Sequence, residues 1–261
     1  MTQQRMTGGR RAFLALGGLS LLSACAEPQP EPPALPPVAV QPSPKPPSPS
    51  PSATGLPRTP VQKKPRYVVP VRSADKGSRV VALTFDDGPD PAYTPQVLRL
   101  LRKHHVKATF FVIGQQASAH PGLVRSIVDD GHTVGTHTWS HANLGKLPAG
   151  RVRTEVGRAV DTVATTAGRI PSLFRAPYGS WSRTVFEVCA TLGQTSIAWD
   201  VDPRDWDNPG AARIRAKILD QVGNRSIVLT HDGGGDRSQT VRALRSVLPV
   251  LIDTGYKFVG V

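Results

Sequence analysis

The chain has 261 residues, 32 of them lysine or arginine and 19 aspartate or glutamate, and its formal net charge is +13. This length allows one large domain or two small ones. Despite the charge, basic residues do not cluster with aromatic residues and no nucleic-acid-binding motif occurs, so we expect no nucleic-acid partner.

The first 25 residues have the pattern of a secretory signal. Arg5, Arg10 and Arg11 precede an apolar run that is too short to span a bilayer permanently, and small residues follow it. The ending LSAC resembles the lipobox of bacterial lipoproteins, which implies that Cys25 is acylated and becomes the mature N-terminus. An ordinary signal peptide that happens to contain a cysteine is the alternative. GRRAFLA also resembles a twin-arginine export signal, so Sec and twin-arginine export both stay open.

Residues 26–76 form a proline-rich linker. Sixteen of the 26 prolines lie between Pro28 and Pro70. This composition offers too little apolar surface to fold, so we predict a disordered, extended spacer that reaches on the order of 100 Å. The folded domain is then 77–261. We expect an exported, membrane-anchored lipoprotein on the outer side of the cytoplasmic membrane or in the periplasm or cell wall.

From Val80 onward, apolar runs typical of strands alternate with segments of helical periodicity. The predicted strands are VVALTF, ATFFVI, TVGTHT, SLFRAPY, TSIAWD, SIVLTH and YKFVGV. The predicted helices are TPQVLRLLRKHH, PGLVRSIVDDG, PAGRVRTEVGRAVDTVATTAG, SRTVFEVCATLG, PGAARIRAKILDQVG and SQTVRALRSVLPVLIDTG. This alternation predicts an α/β fold with a parallel sheet, either closed into a barrel or open and doubly wound. Cys189 lies in an apolar helical stretch and is predicted to be buried.

Ionisable residues follow the carboxyl ends of several predicted strands. They are Asp86 and Asp87, His137, Arg175, Asp200 and Asp202, and His231. In α/β barrels and open α/β sheets this edge carries the functional site. We therefore predict an active site at this edge.

The motif HTWSH places His137 and His141 four residues apart, just after a strand. On a helical turn this spacing would aim both imidazoles the same way, although a pair of surface or capping histidines has the same spacing. Joined by a carboxylate from another strand end, they form a set that can hold zinc or another first-row divalent metal. The adjacent aspartates then divide two tasks. One binds the metal, and its neighbour accepts a proton from the attacking water.

Five motifs, TFDDGP, HTWSH, RAPYG, DPRDW and LTH, resemble in order and approximate spacing those of polysaccharide deacetylases, the NodB-homology or carbohydrate esterase family 4 domain. The resemblance covers nearly all of residues 77–261. It implies a distorted (β/α) barrel of about seven parallel strands. It also implies a metal-dependent hydrolase that removes N-acetyl groups from a polysaccharide. The expected metal is zinc, with cobalt, nickel and manganese as alternatives.

The same resemblance assigns roles to individual residues. It implies that Asp86 is the catalytic base and His231 the general acid. Arg175 would hold the base, and Asp205 would either pair with that arginine or orient the acid. The expected metal ligands are Asp87, His137 and His141. The expected substrate-binding residues are Pro177, Tyr178 through its backbone N–H as an oxyanion donor, Trp206 as the pocket wall, and Leu229 beneath the acetyl methyl.

The predicted location favours one substrate class. A lipid-anchored monomer on a long spacer meets the cell's own envelope first, so we expect N-acetylglucosamine of peptidoglycan, with chitin-type oligomers as an alternative. The same residues could hydrolyse an O-acetyl ester, as on xylan. Two other classes stay open: a non-haem Fe(II) oxygenase, which shares the metal-ligand set, and a wall-binding lipoprotein with an inactive site.

Overall fold

A computed structural model of the protein describes residues 79–261. The predicted signal with Cys25 and the proline-rich linker lie outside the described residues.

Strands and helices alternate along the described chain. The strands are β1 Arg79–Asp86, β2 Thr109–Val112, β3 Thr133–Thr136, β4 Leu173–Phe174, β5 Thr195–Ser196, β6 Ser226–His231 and β7 Tyr256–Phe258. The helices are α1 Thr94–Lys103, α2 Gly114–Ala119, α3 Pro121–Asp129, α4 Ala149–Ala167, α5 Arg183–Thr191, α6 Ala211–Gln221 and α7 Ser238–Asp253. Short 3₁₀ turns lie at Leu144–Lys146, Pro177–Gly179 and Asp205–Asp207.

The seven strands form one curled, parallel sheet. Their order is β5-β4-β3-β2-β1-β6, and β7 pairs with the first half of β1. A single bridge from Val201 to Val228 joins the segment after β5 to β6, so the two ends of the sheet meet over one residue pair. This confirms the predicted α/β fold, a distorted barrel of seven parallel strands.

β1 shows how the sheet separates its two faces. Val81 and Phe85 point into the main core, which packs under the helices. Ala82 points the other way, into a small apolar cluster inside the curl. Because side chains alternate along a strand, Thr84 and Asp86 share the face of Ala82. A polar residue at the end of β1 is thereby directed to the inside of the curl, at the carboxyl edge of the sheet.

Three elements differ from their predictions. The segments SLFRAPY and TSIAWD form strands of only two residues each, β4 and β5. In the first, proline lacks the N–H that a sheet ladder needs, and the 3₁₀ turn Pro177–Gly179 takes over the backbone. The helix α2 was not predicted, because six residues of the sequence GQQASA carry no apolar periodicity.

Cys189 lies in α5 and is 1% exposed, as predicted. Burial raises the pKa of its thiol to about 12, which makes it an unreactive core residue. Among residues 79–261, no helix combines the length and the apolar character needed to cross a membrane.

Candidate active site

The predicted site residues meet at the carboxyl edge of the sheet. Asp86 ends β1 and His231 ends β6, and the two are register partners on adjacent strands. His137 follows β3, and Arg175 follows β4. Because these strands are parallel, their carboxyl ends deliver all four side chains to one rim.

The two adjacent aspartates face the same pocket. Successive strand residues point to opposite faces, but Asp87 has a left-handed backbone with φ of 72°, which turns its side chain back toward that of Asp86. His137 Nε2 consequently lies 3.8 Å from Asp86 Oδ2 and 3.5 Å from Asp87 Oδ1. A left-handed non-glycine residue costs about 1–3 kcal/mol, so the fold maintains this arrangement against local strain.

Two glycines allow the loop that carries Asp87 to pack closely against the loop after β6. A Cβ on Gly88 would overlap the carboxyl group of Asp232, and a Cβ on Gly233 would overlap the backbone carbonyl of Asp87. Only glycine fits at these two contacts. The glycines that follow the DD and HD pairs therefore fix the backbone position of Asp87.

Asp87, His137 and His141 form the one cluster among the described residues with the geometry of a metal site. Their ligand atoms all lie within 4.8 Å of one another, and His141 Nε2 is 3.1 Å from Asp87 Oδ1. That oxygen is buried and accepts no hydrogen bond of good geometry. His137 Nδ1 lies 2.8 Å from the carbonyl of Arg175. A carbonyl only accepts, so Nδ1 carries the proton and the Nε2 lone pair faces the cluster.

The protonation states of these residues suit a cation. Burial raises the pKa of Asp87, but contact with His141 and the charges of His137 and His231 outweigh it, so the pKa lies below its usual range. Burial lowers the pKa of His137, although Asp86 and Asp87 partly oppose this. A carboxylate and a neutral imidazole are the forms that coordinate metal. The residues therefore fit a divalent metal ion.

His137 and His141 do not lie on a helical turn. The segment is irregular, with left-handed backbones at Thr138 (φ 65°) and His141 (φ 60°). The two imidazole centroids still lie 5.1 Å apart. A spacing of four residues brings the rings together here through a tight non-helical turn, because both rings must reach the carboxylate of Asp87 from the end of β3.

Arg175 anchors Asp86. Its guanidinium is fully buried, and Nη1 donates to Asp86 Oδ1 at 2.8 Å and to Thr84 Oγ1 at 2.7 Å. The guanidinium carbon lies 4.2 Å from the ring centroid of Phe111, inside the curl. Burial lowers the pKa of Arg175, and the Asp86 carboxylate opposes that effect. The contact occupies Asp86 Oδ1 and leaves Oδ2 toward His137.

Asp205 contacts His231, which is one of its two predicted partners. Its Oδ1 lies 2.7 Å from His231 Nδ1, and its Oδ2 accepts from the His231 N–H at 2.9 Å and the Thr240 hydroxyl at 2.8 Å. Burial lowers the pKa of His231, but the charge of Asp205 and its hydrogen bond outweigh burial and raise the pKa to about 9. His231 is therefore an imidazolium at neutral pH, with Nδ1–H directed at Asp205.

The four predicted substrate-binding residues lie within three residues of Arg175, Asp205 or His231 in the chain. Pro177 is buried in its 3₁₀ turn, and Tyr178 has a left-handed backbone with its ring edge-on to His141 at 4.7 Å. The Tyr178 and Trp206 side chains are exposed on the rim, at 69% and 44%. Leu229 is buried in β6, two residues before His231 and on the same face.

Two other ionisable residues predicted at the rim, Asp200 and Asp202, make structural hydrogen bonds instead. Asp200 accepts from the Ser226 hydroxyl at 2.7 Å and from the Ile227 N–H at 2.5 Å. Asp202 accepts from the Arg204 N–H at 2.7 Å. Neither belongs to the metal-ligand cluster.

Sequence reasoning missed two buried acids beside the site. Asp232 is 1% exposed and accepts from the Thr94 hydroxyl at 2.5 Å, and burial raises its pKa to about 7. Its position directly after the LTH motif was the available signal. Glu155 in α4 is 8% exposed and binds Ser140. An acid in an amphipathic helix usually faces solvent, so the sequence gives no signal for Glu155.

Comparison with known proteins gives matches over most of the described region. The polysaccharide deacetylase family model matches residues 73–197. A peptidoglycan-N-acetylglucosamine deacetylase of Bacillus cereus is 40% identical over 185 residues, covering 70% of this chain and 86% of that protein. A chitooligosaccharide deacetylase of Bradyrhizobium sp. is 42% identical over 195 residues, covering 69% and 88%. A crystal structure of a peptidoglycan N-acetylglucosamine deacetylase with a bound N-oxidanyl-benzamide has a TM-score of 0.69 at 34% identity, covering 71% and 87%.

Proposed function

This chain belongs to the polysaccharide deacetylase family, hydrolases of N-acetyl amide bonds, and from that premise we propose that it is a metal-dependent enzyme that deacetylates N-acetylglucosamine in peptidoglycan. One observation carries the proposal. The cluster of Asp87, His137 and His141 lies beside an anchored carboxylate, Asp86, and the register partner of Asp86 on the adjacent strand is His231, whose pKa is raised to about 9. Amide hydrolysis needs a base for the water and an acid for the leaving nitrogen, and this arrangement offers both.

Asp87, His137 and His141 would hold the metal. A divalent ion held there supplies Lewis acidity, which lowers the pKa of a water from about 16 toward about 7 and polarises a carbonyl. Zinc suits one carboxylate and two imidazoles, and cobalt, nickel and manganese suit them as well. We propose zinc as the metal, because two imidazoles and one carboxylate form a ligand set of catalytic zinc sites.

Asp86 is the proposed base. Its Oδ1 accepts from Arg175, and its Oδ2 lies toward the histidine cluster and is available to accept a proton from the attacking water. The hydrogen bond from the arginine fixes the orientation of the carboxylate. A positioned base of this kind contributes about 10²–10⁴ in rate.

His231 is the proposed acid. With Nδ1–H directed at Asp205, its Nε2 proton is available for the nitrogen that leaves as a free amine. The raised pKa keeps that proton in place at neutral pH. We further propose that the Tyr178 backbone N–H donates to the oxyanion, an interaction of about 3–4 kcal/mol in related chemistry. Pro177, Trp206 and Leu229 would shape the sugar and acetyl pocket.

The choice of peptidoglycan rests on the relatives and on the proposed location. Relatives of similar identity carry the names of peptidoglycan and chitooligosaccharide deacetylases. The proposed lipid anchor at Cys25 and the spacer of residues 26–76 would hold the catalytic domain, residues 77–261, beside the cell wall. An enzyme placed there meets peptidoglycan before any other N-acetylated polymer.

The test is acetate release by the full chain from three substrates: peptidoglycan, N-acetylglucosamine oligomers and acetylated xylan. We expect acetate and an equal amount of new free amine from peptidoglycan, with loss of both in the presence of a chelator and recovery on adding zinc. Faster release from the oligomers would move the substrate to chitin-type glycans. Release from acetylated xylan alone would make the protein an O-acetyl esterase.

A further inference from the structure

The segment between the two histidines is strained, so other elements must hold it. Thr138 and His141 both have left-handed backbones, at φ of 65° and 60°. Left-handed non-glycine residues persist only where their surroundings fix them, and they concentrate at functional sites. His141 is the last residue of this turn, and its Nε2 position depends on the backbone before it.

Two helices, α2 and α4, hold the segment. The first amides of α2 donate to it: Gly114 N–H to the Thr138 carbonyl at 2.9 Å, and Gln115 N–H to the Trp139 carbonyl at 3.0 Å. From α4, the guanidinium carbon of Arg158 lies 3.5 Å from the centroid of the Trp139 ring. These contacts fix residues 138 and 139 and leave Ser140 to be fixed.

Glu155 of α4 holds Ser140 through both carboxylate oxygens. Oε2 accepts from the Ser140 N–H at 2.9 Å, and the Ser140 hydroxyl lies 3.0 Å from Oε1 and 3.1 Å from Oε2. Backbone and side chain of one residue are thus bound by a single carboxylate, directly before His141.

The environment of Glu155 is unusual for an acid. It is 8% exposed, and within residues 79–261 no lysine, arginine or histidine forms an ion pair with it. A buried carboxylate without a cation is costly, so stability alone gives no reason to keep one here. Its contacts to Ser140 supply a reason connected with the neighbouring histidine.

We propose that Glu155 is a positioning residue that sets metal affinity. By holding Ser140, it fixes the strained turn so that His141 Nε2 stays beside Asp87 Oδ1 and His137. Without it, the turn relaxes and one ligand of the three leaves the cluster. This inference rests on the proposed metal site, and its test separates the two.

The test compares metal binding by Glu155→Ala, Glu155→Gln and Ser140→Ala in the full chain. The dissociation constants for zinc and cobalt are measured by competition with a chromophoric chelator, and the melting temperature is measured on the metal-free protein. Outer partners of metal ligands typically change affinity 10–100-fold, and we expect that loss for Glu155→Ala. Glu155→Gln should recover part of it, because the amide oxygen still accepts from Ser140. The matched control is Glu187→Ala, an exposed helical acid paired with Arg183.

Ser140→Ala removes the hydroxyl that donates to Glu155, so it should also weaken metal binding. In the double variant it should add little to the effect of Glu155→Ala, because both changes remove the same contact. It also carries the test if Glu155→Ala does not fold. Wild-type metal affinity in either variant, with only a lower melting temperature, would show that Glu155 is structural and overturn the inference. A wild-type chain that binds neither metal overturns the proposed metal site itself, and this inference with it.

Discussion

Replacing Asp205 by asparagine should move the alkaline limb of the pH–rate profile to lower pH. The pKa of His231 is about 9 against 6.5 for an unperturbed histidine, and Asp205 is the main group that raises it. At about 1.4 kcal/mol per tenfold, this difference favours the protonated form by about 3 kcal/mol. Because the pKa of His231 is raised in the folded state, its contribution to the free energy of unfolding is complete below about pH 6.5. That contribution is lost as the pH rises through about 9.

Without that charge, burial remains as the dominant influence, and burial lowers the pKa of His231. The fraction of His231 that carries the proton needed for the leaving amine at neutral pH then falls, although Asp87 and Asp86 still raise the pKa. We expect kcat/KM at pH 7.5 to fall roughly 10–100-fold, with partial recovery at lower pH.

The assay is kcat/KM for acetate release between pH 5 and 10 for wild type and Asp205→Asn. Asp207→Asn is the matched control, because Asp207 lies in the same 3₁₀ turn but is exposed. Its carboxylate pairs with Arg204 at 3.6 Å. The control should keep the wild-type profile. An alkaline limb at the same pH in Asp205→Asn would refute the pairing of Asp205 with His231 as the source of the acid.

Three further predictions concern the metal, the ion pair of Arg175 with Asp86, and the packing of the loops that follow β1 and β6. Removing divalent cations with a chelator should abolish acetate release and lower the melting temperature in a differential scan, and zinc should restore both. Arg175→Met should cost about 3–5 kcal/mol in urea denaturation because it leaves Asp86 buried without a partner; a loss under about 1 kcal/mol would contradict the anchor. Gly88→Ala should cost about 1–3 kcal/mol because its Cβ meets Asp232, whereas Gly150→Ala, with open space, should lose nothing; equal stabilities would contradict the close packing of the loops.

The sequence predicted the parts of the fold that depend on periodicity. Continuous apolar runs located all seven strands, because parallel strands that are buried on both faces have this pattern. It could not locate α2, whose six residues bury only Gly114 and Ala117. It also overestimated β5 and β4, and in β4 the apolar composition continues past the point where Pro177 and the following turn end the ladder.

For the site, the motifs located the residues but not the conformations that join them. A helical turn would have been one way to bring His137 and His141 together, and the structure reaches the same proximity through left-handed backbones that a spacing cannot reveal. The burial of Glu155 could not be predicted from the sequence, because burial of an acid depends on which loop packs above it. Asp200 shows the converse, since a polar residue at a strand end can make only structural hydrogen bonds, here to the Ser226 hydroxyl and the Ile227 N–H of β6.

The division of labour between the two adjacent aspartates is tested most directly by measuring bound zinc and acetate release on the same preparations of Asp86→Asn and Asp87→Asn. Asp87 belongs to the ligand cluster and Asp86 is held by Arg175. We therefore predict that Asp86→Asn keeps its zinc and loses at least about 100-fold in turnover, whereas Asp87→Asn loses the zinc. An Asp86→Asn protein that keeps both zinc and most of its turnover would contradict the account, as would an Asp87→Asn protein with a full complement of zinc.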